Sequence, residues 1–422
     1  MVHTMIPAAQ KTSEGPYPGR VPLIGRHMKK SIVLLTLALA ATTLVAANAA
    51  MKGKIKLVSQ SPLSGGQSKQ GEGIKNGVTI AMEEFGKTIT SQGFEFSYEA
   101  YDDQAKPDVG AANANKIIND AEVLGVVGHL NSGVAIPSSE VYAKVGLVMV
   151  SPANTNPLVT DRKSTAKVTN RVCGRDDVQG PAAADYAIKT LKGKNYYVLN
   201  DKTAYGSGIA SFFAKTVTAA GGKIMFETGI DAAERDFSSV LNRAVVDKPD
   251  VIFYGGIYDQ GGPMIKQIRQ KGITAAIIGG DGLDGSDLQA LAGAENMKNV
   301  FFATTSGPIS VLPAAKKFGA KYKAKFGKDS EGYATYAYDA ARVVIKGIAK
   351  AIRDGGGKMP TREAVAAAAR SVTFNGITGK IAFNDRGDQP VAKYFIIEAQ
   401  AVYANNKVVK SVTVAAPTPE TK

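Results

Sequence analysis

Several loops rich in Gly, Ser and Asn set hydroxyls beside free backbone N–H groups at expected helix starts. Among them are Gly128-His129-Leu130-Asn131-Ser132-Gly133, Ser151-Pro152-Ala153-Asn154-Thr155-Asn156-Pro157 and Asp201-Lys202-Thr203-Ala204-Tyr205-Gly206. That arrangement holds an anion such as a carboxylate, and Ser132 and Thr155 are the candidate carboxylate ligands. The same residue types also cap helices and form turns. Asp281, between glycines after a strand-like run, is placed to neutralise an ammonium group or to form a turn. A zwitterion is costly to desolvate and needs fixed, charge-complementary partners at both ends, which Ser132, Thr155 and Asp281 can supply.

Other chemistries lose ground on composition. The apolar run Ser31–Ala47 follows Lys29 and Lys30 and precedes Ala47-Asn48-Ala49, a small-x-small pattern. It reads as a cleaved secretion signal over residues 28–49, short of the roughly 20 residues that span a bilayer. Residues 1–27 then read as an upstream extension ahead of a natural start at Met28. His3 and His27 leave with that segment, so His129 is the one histidine of the mature part. A zinc site of several His or Cys ligands cannot be built from it, and a Ser-His-Asp apparatus would have to use His129. His129, beside Gly128 after a buried strand, reads as a structural hydrogen bonder. Cys173 is the only cysteine, which excludes an internal disulfide and leaves the apolar core to hold the fold. Of the formal charge of +14, five Lys/Arg and one Glu precede Ala50, leaving +10 on the remainder. No tract of five like charges occurs, which argues against a nucleic-acid arm.

The elements that must position these residues follow an alternating order. Ile55-Lys56-Leu57-Val58 reads as a strand; Ile74, Val78, Ala81, Met82 and Phe85 are then spaced for one helix face. Phe94–Tyr101 reads as a strand, Pro107 opens a helix, Val123–Val127 is a strand, a helix follows Gly133, and Leu147–Val150 is a strand. A second series runs from a helix at about Gly180 through Tyr196–Leu199, a helix Tyr205–Ala219, and strands Lys223–Glu227 and Val251–Tyr254. It closes with a helix Gly261–Gln270 and a strand Ala275–Ile278. Helices dominate Pro313–Arg370, and Lys380–Phe383, Tyr394–Glu398 and Lys407–Val414 read as strands. This order predicts α/β architecture, two doubly wound parallel sheets with helices on both faces. Ligands of such sheets sit beyond the carboxyl ends of the strands, so the loops converge on a cleft between two lobes.

The chain also resembles a known family. Tyr101-Asp102-Asp103, Gly128-His129-Leu130, Ser151-Pro152 with Thr155-Asn156-Pro157, Gln179-Gly180-Pro181, Asp201-Lys202, Tyr205-Gly206, Asp236-Phe237-Ser238, Tyr254-Gly255-Gly256 and Gly387-Asp388 occur in the order and spacing of one group. That group is the periplasmic branched-chain amino-acid (Leu/Ile/Val) binding proteins of ABC importers, of the type I periplasmic binding protein class. The resemblance implies two Rossmann-like lobes joined by a three-crossing hinge near Val172, Thr304 and Pro390. Lobe 1 would be 51–172 plus 305–389, lobe 2 173–304 plus 390–415, and 416–422 a flexible tail. It also implies a monomeric, non-enzymatic periplasmic protein without a cofactor or metal, which closes on an aliphatic amino acid and delivers it to a membrane permease without spanning the membrane itself. Carried over position by position, it puts Ser132 and Thr155 on the α-carboxylate with the backbone of Ala153 and Asn154, and Asp281 with Tyr205 on the α-ammonium. Tyr333 would line the cleft. Gln70 and Ile257 stand where the family has aromatic residues against the ligand's side chain, and Ala105 and Asn131 stand where its disulfide would be.

Those two aromatic departures keep open a ligand such as an amide, urea or an aromatic acid on the same fold. A dehydrogenase reading rests on Gly71-Glu72-Gly73-Ile74-Lys75-Asn76-Gly77, which imitates a dinucleotide fingerprint. Its last gap is too long, and Asp102 lies about thirty residues on where about twenty is expected. A sugar-responsive transcription regulator shares the architecture but requires DNA-binding helices where this chain has an export signal.

Overall fold

Strand β1 (Lys54–Ser61) is the organising strand of the first sheet, with Ile55, Leu57 and Val58 fully buried. The computed structural model describes residues 51–417; the expected extension 1–27, the signal 28–49 and residues 418–422 lie outside them. Helix α1 (Ser68–Phe85) follows β1 and buries Ile74, Val78 and Ala81, the face that the apolar spacing marks out. Strands β2 (Glu95–Asp102), β3 (Val123–Gly128), β4 (Met149–Ser151) and β5 (Thr169–Arg171) complete a five-stranded sheet in the order β2-β1-β3-β4-β5. Every pair in it is parallel. Helices α2 (Pro107–Asn119) and α3 (Ser132–Ala143) pack against one face through Ala114, Ile117, Ala135 and Val141.

The second sheet has seven strands: β6 (Asn195–Asn200), β7 (Lys223–Gly229), β8 (Val251–Gly255), β9 (Ala276–Gly279), β10 (Val300–Thr304), β13 (Val391–Glu398) and β14 (Lys407–Ala415). Their order is β14-β13-β10-β9-β8-β6-β7, with β6 to β10 parallel and β13 and β14 antiparallel at one edge. Its layers are α4 (Asp176–Lys189), α5 (Ala204–Ala219), α6 (Ser238–Asp247), α7 (Tyr258–Gln270) and α8 (Asp287–Ala292). After β10 come α9 (Lys316–Phe326), α10 (Ala334–Asp354) and α11 (Arg362–Ser371), which share a core with α1, β1 and β3. A two-residue hairpin, β11 (Phe374–Asn375) with β12 (Lys380–Ile381), precedes β13. The chain therefore passes from the first sheet to the second after Arg171, back after Thr304, and over again before Val391. The fold is the α/β pair of Rossmann-like, doubly wound lobes that the alternation predicts.

Some elements differ from the sequence expectation. Strand β4 starts at Met149, not Leu147, and β12 ends at Ile381, not Phe383, because Asn384 and Gly387 close a turn on each other instead. The apolar pattern marks neither strand β5 nor helix α6. Strand β5 reads Thr-Asn-Arg; it pairs with β4 because its buried arginine is held from outside the strand. The Arg171 Nε donates to Asp388 Oδ1 at 2.7 Å, and its Nη1 donates to the carbonyls of Asn154 (2.8 Å) and Asn156 (3.0 Å). Arg175 donates from Nη1 to Asp388 Oδ2 at 2.8 Å and from Nη2 to Asp161 and Asp177. Burial alone would raise the Asp388 carboxyl, but the charges of Arg171 and Arg175 outweigh it and hold it below its usual range. Ala416 still donates to the Pro390 carbonyl, at the start of the expected tail.

Candidate functional site

The loops after β1, β3 and β4 of the first sheet face those after β6, β8 and β9 of the second around a cavity of about 420 Å³. Gln70, Ser132, Ala153, Tyr205, Ile257, Asp281 and Tyr333 wall it; Asn154 and Thr155 do not. Ser132 is the first residue of α3, so the unpaired N–H groups of that helix start open beside its hydroxyl, which accepts from Asn156 N at 3.4 Å. Asn154 lies behind the wall as a tie between two loops. Its Oδ1 accepts from His129 N (2.9 Å) and Ser151 Oγ (2.7 Å), and its Nδ2 donates to the Leu130 carbonyl (2.8 Å). Thr155 is fully buried, and its hydroxyl has no protein partner. His129 is buried against Gln60 and Asp103, and Cys173 is buried with its thiol pushed up by desolvation.

Asp281 is a carboxylate of the cavity wall held by three side-chain donors. Its Oδ1 accepts from Gln179 Nε2 at 2.9 Å and Tyr205 OH at 2.8 Å, and its Oδ2 accepts from Tyr333 OH at 2.5 Å. The Tyr205 oxygen accepts in turn from Gly282 N at 2.8 Å. Tyr333 stands at the start of α10, a helix of the first lobe, whereas Asp281 follows β9 of the second, so this bond crosses the cleft. Burial raises the Asp281 carboxyl above its ordinary range, and the three donors offset part of that. Asp176, in the first turn of α4, is also fully buried and is raised further, by desolvation first and then by the charge of Asp281. The Gln179 amide reaches both carboxylates, with 3.3 Å to Asp176 Oδ1.

The sequence pattern gives Gln179 and Asp176 no place in the site. The signal that points to Gln179 is the Gly180-Pro181 pair after it, uncommon inside a helix. A Cβ on Gly180 would lie 2.7 Å from the Phe212 Cβ, so that glycine lets α4 press on α5, with Gln179 beside it bonded to Asp281 from behind the cavity wall. The lobes are bridged at other points too. Asn156 Nδ2 donates to the Ala204 carbonyl (2.6 Å), Gln70 Nε2 to the Asp284 carbonyl (2.8 Å), and Lys69 Nζ to Asp287 (2.8 Å).

The dinucleotide-like glycines take no part in a strand-to-helix turn. They lie within α1, where a Cβ on Gly71 would fall 1.7 Å from the Pro62 carbonyl oxygen and one on Gly77 2.2 Å from that of Ala334. They are packing glycines. Among the described residues no group of three or more His, Cys, Asp or Glu is placed to hold a metal, and no helix is long and apolar enough to cross a membrane. What the cavity offers is an acceptor for a cation on one lobe and helix-start donors for an anion on the other.

The family model described as periplasmic binding protein matches residues 54–406. A Leu/Ile/Val-binding protein of Rhizobium johnstonii is 35% identical over 328 residues, covering 78% of this chain and 86% of its own. An amino acid binding protein of Pseudomonas aeruginosa is 30% identical over 337 residues, covering 80% and 88%. The crystal structure of a leucine binding protein from Thermotoga maritima superposes with a TM-score of 0.76 at 29% identity, covering 86% of this chain and 99% of that one.

Proposed function

Because this chain belongs to the periplasmic binding protein family, whose members are extracytoplasmic solute-binding proteins of importers, we propose that it captures an α-amino acid between its lobes and delivers it to the permease of an ABC importer. The observation that supports this best is the Asp281 carboxylate, buried and oriented by Gln179, Tyr205 and Tyr333 at the wall of the cleft. The three fixed donors favour the charged form and offset part of the burial that opposes it, and an ammonium group is the natural counter-charge that completes the balance. Ser132, the N–H groups of the α3 start and the backbone of Ala153 take the carboxylate, while Asn154 and Thr155 support that wall from behind. With the two ends held by different lobes, the ligand ties the lobes together, and the three crossings serve as the hinge. Closure of two domains about such a hinge, around a bound ligand, is the motion general to periplasmic binding proteins. In this reading the segment 28–49 directs export and is removed, and the protein acts as a monomer without a cofactor.

The names of the relatives make leucine, isoleucine and valine the first ligands to try. Calorimetry on the chain from Ala50 onward, refolded free of carried-over ligand, tests the reading. Asp281→Ala is expected to weaken amino-acid binding by about 2–5 kcal/mol. Unchanged affinity would remove Asp281 from the ammonium site. Binding of only urea, a simple amide or benzoate would replace the amino acid while leaving the transport role.

A further inference from the structure

Gln70 is 6% exposed and walls the cleft cavity. Its Nε2 donates to the Asp284 carbonyl at 2.8 Å, and a carbonyl can only accept, so the orientation of this amide is fixed. Its Oε1 is thereby left buried without any protein donor. Asn131, on the same wall, repeats the pattern: its Nδ2 donates to Gln67 Oε1 at 2.8 Å, and its Oδ1 is buried without a partner. A third acceptor is Asp259, in the first turn of α7. Its nearest cation is the half-exposed Arg235, at 3.6 Å. Gln260, also on this wall, has its amide satisfied by Tyr254, Asp231 and Glu234. The charged donor of the wall, Lys202, is exposed to solvent.

We propose that the amino acid taken by this cleft carries N–H donors on its side chain, as an amide, ammonium or guanidinium group, and that Gln70 Oε1 is the acceptor that selects it. The proposal rests on the amino-acid reading above. A hydrocarbon side chain against Gln70 would exclude water from the acceptor without replacing its hydrogen bond. A hydroxyl has one proton to give, whereas NH₂ or NH₃⁺ has two or three, so it can meet Gln70 and still donate elsewhere. A buried acceptor built for a donor rejects the analogue that lacks one far more strongly than an apolar pocket rejects a missing methylene.

The test is calorimetry of the ligand-free chain with glutamine, asparagine, lysine and arginine against leucine, isoleucine, valine and threonine. At least one of the first set is expected to bind about a hundredfold tighter than any of the second. Gln70→Leu, which removes the acceptor at similar volume, is expected to reduce that ratio about tenfold or more. Should Gln70→Leu fail to fold by circular dichroism, Asn131→Ala reads the same ratio from the second acceptor. Leucine, isoleucine, valine or threonine binding as tightly as the first set, or a ratio unmoved by the variant that folds, overturns the proposal and leaves amino-acid capture standing. No binding by either set overturns both.

Discussion

At Asp281 two phenols and an amide converge on one carboxylate, and each donor has a measurable weight. Removing the cross-cleft donor by Tyr333→Phe should cost about 1.5–3 kcal/mol of ligand affinity by calorimetry, the range for hydrogen bonds to charged groups. The carboxyl pKa is raised by burial, so protonation, which cancels the counter-charge for an ammonium, begins at a higher pH than for an ordinary aspartate. Affinity should therefore fall as the pH is lowered from neutrality, and Asp281→Asn should flatten that profile while binding weakly throughout. A flat profile in the parent chain would contradict the assignment. Asp281 is legible in the sequence because glycines flank it after an apolar strand. Its partner Gln179 is not, since the bond joins residues 102 positions apart and the Gly180-Pro181 pair beside it marks a packing point, not a bond to Asp281. Gly71 invites misreading for the same reason: its neighbour, the Pro62 carbonyl, is set by how α1 folds back on the loop after β1. Gly71→Ala should lower stability by about 1–3 kcal/mol in a urea titration, from overpacking rather than loss of any ligand contact.

Among the elements, those that bury a patterned face are readable and those held by polar groups are not. Strands β3 and β8 are apolar runs, β1 carries Ile55, Leu57 and Val58 between polar residues, and α1 and α10 place apolar residues at helical spacing, so their existence follows from pattern alone. Strand β5 exists because Arg171, fully buried, is satisfied by Asp388 and by two loop carbonyls. Removing Asp388 takes the counter-charge from Arg171 and one of the partners from Arg175, and Asp388→Ala should destabilise the chain by about 3–5 kcal/mol. The sign of the pH effect follows from the direction of the shift. The folded carboxyl lies below its unfolded value, so the stabilisation is fully present above the unfolded pKa of about 3.9 and is lost as the pH falls through the folded one. Urea titrations of the parent and Asp388→Asn should differ most near neutrality and converge as the pH is taken below about 4.

For the whole molecule, the alternation of loops between two sheets makes the position of the cleft legible, while the bonds that close it, such as Asn156 to Ala204 and Lys69 to Asp287, depend on how the sheets meet. A ligand held by both lobes binds the folded chain alone. At a hundredfold excess over its Kd it should add about 2.7 kcal/mol of stability, visible as a rise in Tm that scales with ligand concentration. The chain also carries its own clock for this closure. Cys173, the sole thiol, lies at the first passage between the sheets, 1% exposed, with Sγ 3.6 Å from the Asn154 carbonyl. Burial pushes its pKa up and keeps it from ionising, so an alkylating reagent can react only during the moments when the crossing comes apart. The labelling rate of the native chain thus counts those openings without any engineered probe, and bound ligand should slow the count.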